Sequence, residues 1–152
     1  MRPAARSRSA RVCVAAATLA IAGCGSSSPS DNQVRAQASS ICAHANREIG
    51  RITTPSAASG GAAFLQQGIA SLKPELRALR QIAPPQDSAD VWSTAIRSLS
   101  GELAQLESTA ARIDTGADPV SAFKSLQRTI SPLERQADGA WQALQIPACQ
   151  NQ

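Results

Sequence analysis

Tyrosine is absent from the sequence, histidine occurs once, and the aromatics are two tryptophans and two phenylalanines. A base-stacking platform for single-stranded nucleic acid needs more rings than that. A carboxylate-bridged di-metal centre in a bundle needs two Glu-x-x-His pairs and two further inward acids. The chain has no Glu-x-x-His pair, and its one histidine, His44, shares a helix face only with Glu48. No serine lies in a recognisable nucleophile turn near that histidine. Gly60-Gly61 has neither a strand before it nor Lys-Ser/Thr after it, so it is not a phosphate loop. No catalytic residue, metal or cofactor is therefore expected. Strand-like alternation is missing as well.

Acids are missing from the first eleven residues, which carry Arg2, Arg6, Arg8 and Arg11. Val12 to Ala22 is apolar apart from Thr18. That run is shorter than the roughly 20 residues that span a bilayer as a helix. A basic start, a short apolar core and small residues at its end make a secretory signal peptide. There is no twin-arginine pair, which points to export in the unfolded state.

Leu19-Ala20-Ile21-Ala22-Gly23-Cys24 closes the apolar run and opens a Ser-rich stretch. It resembles the lipobox of bacterial lipoproteins: an aliphatic residue, a small residue, Gly or Ala, then Cys. The family more often has Leu where Ile21 stands. The resemblance implies cleavage after Gly23 and a diacylglyceryl group on the Cys24 sulfur. Two acyl chains are what stable anchoring requires. Ala20-Ile21-Ala22 also fits the small-x-small rule of ordinary secretion, which would leave Cys24 a spare thiol. The expected organisation is a signal peptide over 1–23, a lipidated cysteine and tether over 24–30, and a helical domain over 31–152. Its place is the outer face of the cell membrane, held through Cys24.

Removing the signal changes the charge. Four of the fifteen basic residues lie in it, and the remaining eleven equal the eleven acids. The calculated pI of about 9.3 belongs largely to the discarded segment. A nucleic-acid footprint needs a basic domain, so nucleic acid is not an expected partner. Thirteen arginines against two lysines, with abundant alanine, suggest a GC-rich bacterial genome. Cys13 also leaves with the signal. Cys42 and Cys149 remain, and in an exported chain they read as one disulfide.

Four helices are expected. The first runs from about Asp31, its cap, to about Ile52, with Val34, Ala38, Ile41, Ala45, Ile49 and Ile52 on one face. The second covers about Gly61 to Ala83, with Leu65, Ile69, Leu72, Leu76 and Leu79 at bundle spacing. Pro74 predicts a kink or break near Lys73. The third starts at Asp87 and carries Trp92, Ile96, Leu99, Leu103, Leu106, Ala110 and Ile113 without interruption. The fourth starts at Asp118-Pro119 and carries Phe123, Leu126, Ile130, Leu133, Ala137, Trp141 and Leu144 around a second internal proline, Pro132. Short links give an all-α, antiparallel up-down four-helix bundle.

In that order Cys42 and Cys149 lie at one end of the bundle, but Cys42 sits about 15 Å into its helix at 1.5 Å per residue. The first turns of helix one must overhang, or the tail after Pro147 must fold back. The polar and alanine-rich Asp31 to Ser40 favours the overhang.

The chain also resembles small uncharacterised cell-envelope lipoproteins of high-GC Gram-positive bacteria. That likeness rests on the lipobox, Ile41-Cys42, the Leu-rich helix into Ala83-Pro84-Pro85, Trp92, and Pro147-Ala148-Cys149. It implies no known activity.

Lys73, Arg77 and Arg80, and likewise Lys124, Arg128 and Arg135, form basic stripes. Pairing with the acids of helix three, Asp87, Asp90, Glu102, Glu107 and Asp114, is the expected role. A patch for anionic lipid or wall polymer is the alternative. Trp92 and Trp141 read as core residues. Two functions compete: a non-catalytic interaction or structural module with an envelope or wall partner, and a lipoprotein that holds a small apolar compound between its helices. An interior cavity favours the second, and a filled core with an exposed apolar patch favours the first.

Overall fold

The computed structural model describes residues 29–150; the expected signal peptide and Cys24 lie outside the described residues. The described chain is all-α. Four helices, α1 (Asp31–Ile49), α2 (Gly61–Leu79), α3 (Ala89–Asp114) and α4 (Pro119–Ala143), alternate with short turns. Three of these turns are single 3-10 turns, Ala58–Gly60, Gln86–Ser88 and Pro147–Cys149. None of the described helices is long and apolar enough to cross a membrane.

Local chemistry sets the helix starts. Ser30, not Asp31, caps α1. The Gln33 N–H donates to Ser30 Oγ (3.4 Å), and the Ser30 N–H donates back to Gln33 Oε1 (2.8 Å). This reciprocal box satisfies two donors that Asp31 alone could not. Asp31 instead sits in the first turn, where its charge suits the helix dipole. Asp118 caps α4 as the sequence predicts, accepting from the Ser121 N–H at 2.8 Å with Pro119 just inside. Hydrogen bonds from Ser121, side chain and backbone, hold the Asp118 carboxyl below its ordinary range. α3 begins at Ala89 rather than Asp87, because the chain leaving Pro85 first makes a tight turn with the Ser88 N–H on the Pro85 carbonyl.

Helix ends come sooner than the periodicity suggests. α1 stops at Ile49, and Arg51 and Ile52 continue as turns bonded to the Glu48 and Ile49 carbonyls. α2 stops at Leu79, although Ile82 beyond it stays in the core. α3 ends in a Schellman motif: the Ala117 N–H reaches the Arg112 carbonyl, and Gly116 takes φ +100°.

Of the kink or break expected at Pro74, the break does not occur: α2 is one continuous helix through it, and α4 through Pro132. Both prolines are exposed, as are Ala70 and Arg128, whose carbonyls lose a partner. Water can serve those carbonyls. An internal proline costs about 3 kcal/mol. Burying Leu72 and Leu76 on either side of Pro74 returns about 1.5–3 kcal/mol each, which is enough to carry the helix across.

Consecutive helices pack in chain order, α1 on α2, α2 on α3 and α3 on α4. Lys73 meets Glu107, and Arg80 meets Ser100, so α2 and α3 are antiparallel. Trp92 near the start of α3 meets Trp141 near the end of α4, edge to face at 5.5 Å, so these two are antiparallel as well. Both rings are buried, as expected. A Cβ on Gly101 would lie 3.1 Å from the Leu133 side chain, so the glycine allows α3 and α4 to approach closely.

The fourth side of the bundle departs from the expectation. α1 packs on α2 and on the Pro147–Cys149 turn rather than along α4. Cys42 and Cys149 are joined, with Cα atoms 5.0 Å apart. The overhang is absent: Val34 and Ala38 are buried, so the first turns of α1 belong to the core. Instead the tail folds back. Arg35 Nε donates to the Leu144 carbonyl (3.0 Å), and Asn46 Nδ2 donates to the Ala148 carbonyl (2.9 Å). The chain thus leaves α4 beside the start of α1 and climbs along it.

Candidate functional site

The returning tail closes the α1–α4 side only at the end where α4 stops. Towards the other end the side is open, and a cavity of about 380 Å3 occupies it. Ile49 and Ile52 border it from the end of α1, and Phe64, Leu65, Gly68 and Leu72 from α2. Leu106 and Ile130 complete the apolar wall from α3 and α4. Among the described residues, Glu102 and Glu134 are its charged lining residues.

A second apolar cavity, of about 640 Å3, adjoins it and shares Phe64, Leu65, Leu106 and Ile130. The Pro55–Ala58 turn and the first turns of α4 border it, with Phe64 and Phe123 ring centroids 6.4 Å apart. On the disulfide side lies a smaller cavity of about 240 Å3, lined by Glu102, Glu134, Asp138, Trp141 and Cys149 among others. Glu102 and Glu134 face both this cavity and the apolar groove.

Glu102 is the unusual group. It is 8 % exposed, and its Oε1 is buried without a hydrogen-bond partner among the described residues. Burial, followed by the negative charges of Glu134, Asp138 and Glu75, pushes its pKa up from 4.5 to about 7. Ser98 Oγ, one turn earlier on α3, is also buried without a partner. Glu75 is buried on α2, where it also lines the groove between α1 and α2 with His44 and Glu48.

These carboxylates were not legible as a site from the stripes. Glu102 is expected from the sequence to pair with a basic stripe of a neighbouring helix, and the structure buries it instead. The signal lay in register. Glu102 follows Leu99 by three, Glu75 follows Leu72 by three, and Glu134 follows Ile130 by four, all on the apolar flank of their helices. α3 is sandwiched between α2 and α4, so its buried surface is wider than one seam.

The other sequence candidates fall elsewhere. Glu48 pairs with Arg51 at 2.7 Å. Among the described residues no three His, Cys, Asp or Glu side chains group closely enough to hold a metal ion. Lys73 pairs with Glu107 at 2.6 Å, as expected of its stripe, while Arg80 donates to Ser100 rather than to an acid. No protein-family model, curated protein or solved structure matches this chain.

Proposed function

We propose that the protein is a lipoprotein of the bacterial cell envelope, anchored through Cys24 to the outer face of the membrane. Its helical domain is a non-catalytic module that holds a small, largely apolar ligand. The anchor rests on the lipobox resemblance and on the basic, apolar and small-residue order before it. The ligand rests on the apolar groove in the open α1–α4 side. Its volume lies in the range of small-molecule sites, and its side chains are apolar apart from Thr54, Glu102 and Glu134. A protein-docking face has less behind it, because Val120 is the one exposed large hydrophobic among the described residues.

Filling the groove tests the reading. Gly68 lines it, and a Cβ there meets nothing within 4 Å. Gly68→Leu should abolish binding of decanol, measured by calorimetry, and leave the fold intact or firmer, since leucine favours helix. Unchanged decanol binding in that variant, or none in the parent, overturns it.

A further inference from the structure

We propose that the ligand of this groove is an amphiphilic monocation, with an ammonium head between Glu102 and Glu134 and an apolar body along Leu65, Leu106 and Ile130. This rests on the ligand-holding reading above and adds the charge of the ligand to it.

The first support is an unmet demand. Glu102 Oε1 is buried and unpartnered at the floor of the groove. A buried carboxylate oxygen without a donor is costly, and the cost vanishes when a donor arrives. Among the described residues no lysine, arginine or histidine lines the groove or the smaller cavity beside it; Lys124 lines the larger cavity that adjoins the groove. Two basic residues of α2 are engaged with α3, Lys73 by Glu107 and Arg80 by Ser100.

The second support is the shape of the demand. A bare divalent ion wants six or more oxygens converging on a point. The described acids do not group that way. Glu102 on α3 and Glu134 on α4 line both the groove and the smaller cavity, while Asp138 on α4 lines the smaller cavity only. An ammonium carries three donors and is satisfied by two or three acceptors at moderate spacing. Immediately above them the wall is apolar, so the head has a place only if a hydrocarbon body is attached.

A third consequence concerns protons. A cationic head favours the ionised form of Glu102, whose pKa near 7 means that part of the population is protonated at neutral pH. Binding at neutral pH therefore releases a proton. The titratable groups that face Glu102 are Glu75 from α2 and Glu134 and Asp138 from α4. α1 offers Ile49 and Ile52 to the groove, and its His44 and Glu48 line the separate α1/α2 groove with Glu75. The tail offers the bonded Cys149.

The test compares decylammonium, decanol and decanoate below their micellar concentrations, titrated calorimetrically into the purified full chain at about pH 8. Decylammonium should bind about tenfold or more tightly than decanol, the factor expected for a charge-assisted hydrogen bond, and decanoate more weakly than either. Glu102→Gln with Glu134→Gln should erase the preference for the amine, so that decylammonium and decanol bind alike. In buffers of different ionisation enthalpy near pH 7, decylammonium binding should release a proton and decanol binding should not. Equal affinities for amine and alcohol, or a preference that survives the double substitution, overturn the proposal and leave the ligand-holding reading standing. Displacement of decylammonium by calcium alone overturns it in favour of a metal. Failure of all three probes to bind overturns both.

Discussion

Asn46 donates through Nδ2 to the carbonyl of Ala148 at 2.9 Å, one turn of α1 beyond Cys42 and one residue before Cys149. Arg35 holds the Leu144 carbonyl three turns earlier on the same helix. Between these two anchors the tail acts as a fifth wall, standing where α4 would otherwise pack on α1. Cys149 at its top lines the cavity that shares Glu102 and Glu134 with the apolar groove. The covalent clamp and the open groove are thus parts of one arrangement: a short tail closes one end of a side that helices leave open.

Cys42→Ala with Cys149→Ala should lower stability by about 4–5 kcal/mol on the chain-entropy model, since the bond closes a loop across a sequence separation of 107. The hydrogen bonds from Arg35 and Asn46 remain, so the folded state keeps its helices. Urea unfolding followed by circular dichroism measures the loss. Intact mass after alkylation of the unreduced exported protein should show no label on either cysteine; two labelled thiols would contradict the pairing.

The reversal after α4 turns on Gln145, the one non-glycine residue with positive φ among those described, at 58°. There the Ile146 N–H reaches back to the Trp141 carbonyl at 2.9 Å, a Schellman closure that glycine normally serves. Gln145→Gly should stabilise the fold by about 0.5–1 kcal/mol, because the left-handed region costs a side chain roughly that much. Gln145→Val should destabilise it by a similar amount or more. Opposite signs in thermal melts check the pair.

Much of the fold was legible because it rests on periodicity and turn chemistry. The seams through Leu65 to Leu79 and Trp92 to Ala110, the Asp118-Pro119 start and the Cys42–Cys149 pair all follow from local pattern or compartment. What escaped were competitions between local and tertiary terms. Pro74 predicts a break from backbone chemistry alone, and packing of Leu72 and Leu76 overrides it. Asp31 and Asp87 resemble caps, but the capping box at Ser30 and the tight turn after Pro85 claim the boundaries. The site escaped for a different reason. Charge at Glu102 reads as surface in any single helix, and its burial is decided only when α3 is flanked on two sides.

Cys24→Ser should move the exported protein from the membrane fraction to the soluble one. The proposed anchor is a pair of acyl chains on that sulfur, which is what stable attachment requires. No described helix offers a spanning segment in its place, and Val120 is the one exposed large hydrophobic among the described residues. Fractionation of cells expressing each form, followed by detergent phase partitioning, reads the outcome. A serine variant that stays in the detergent phase after normal export would refute the lipobox reading.

Glu102 makes stability depend on pH with a definite sign. Its pKa in the fold, about 7, lies above the 4.5 of the unfolded chain, so the native state binds the proton more tightly. Stability from this group is fully present below about pH 4.5 and is lost as pH rises through about 7. The gap corresponds to at most about 3 kcal/mol, at about 1.4 kcal/mol per tenfold in proton affinity. Asp118 works in the opposite direction, but its pKa lies below the ordinary aspartate value, so its contribution falls away only at more acidic pH. Between about pH 5 and pH 8 the parent should therefore lose stability as pH rises. Glu102→Gln keeps the shape and removes the charge, so its curve over that range should be flatter, and it should be the more stable protein at about pH 8 by about 2–3 kcal/mol. Near pH 4.5 the two should differ little, because the parent carboxyl is then already protonated in the fold. Chemical unfolding at half-unit pH steps gives both curves. Parallel curves, or a parent that gains stability towards pH 8, would show that Glu102 is not the buried, raised carboxyl on which the groove's charge preference depends.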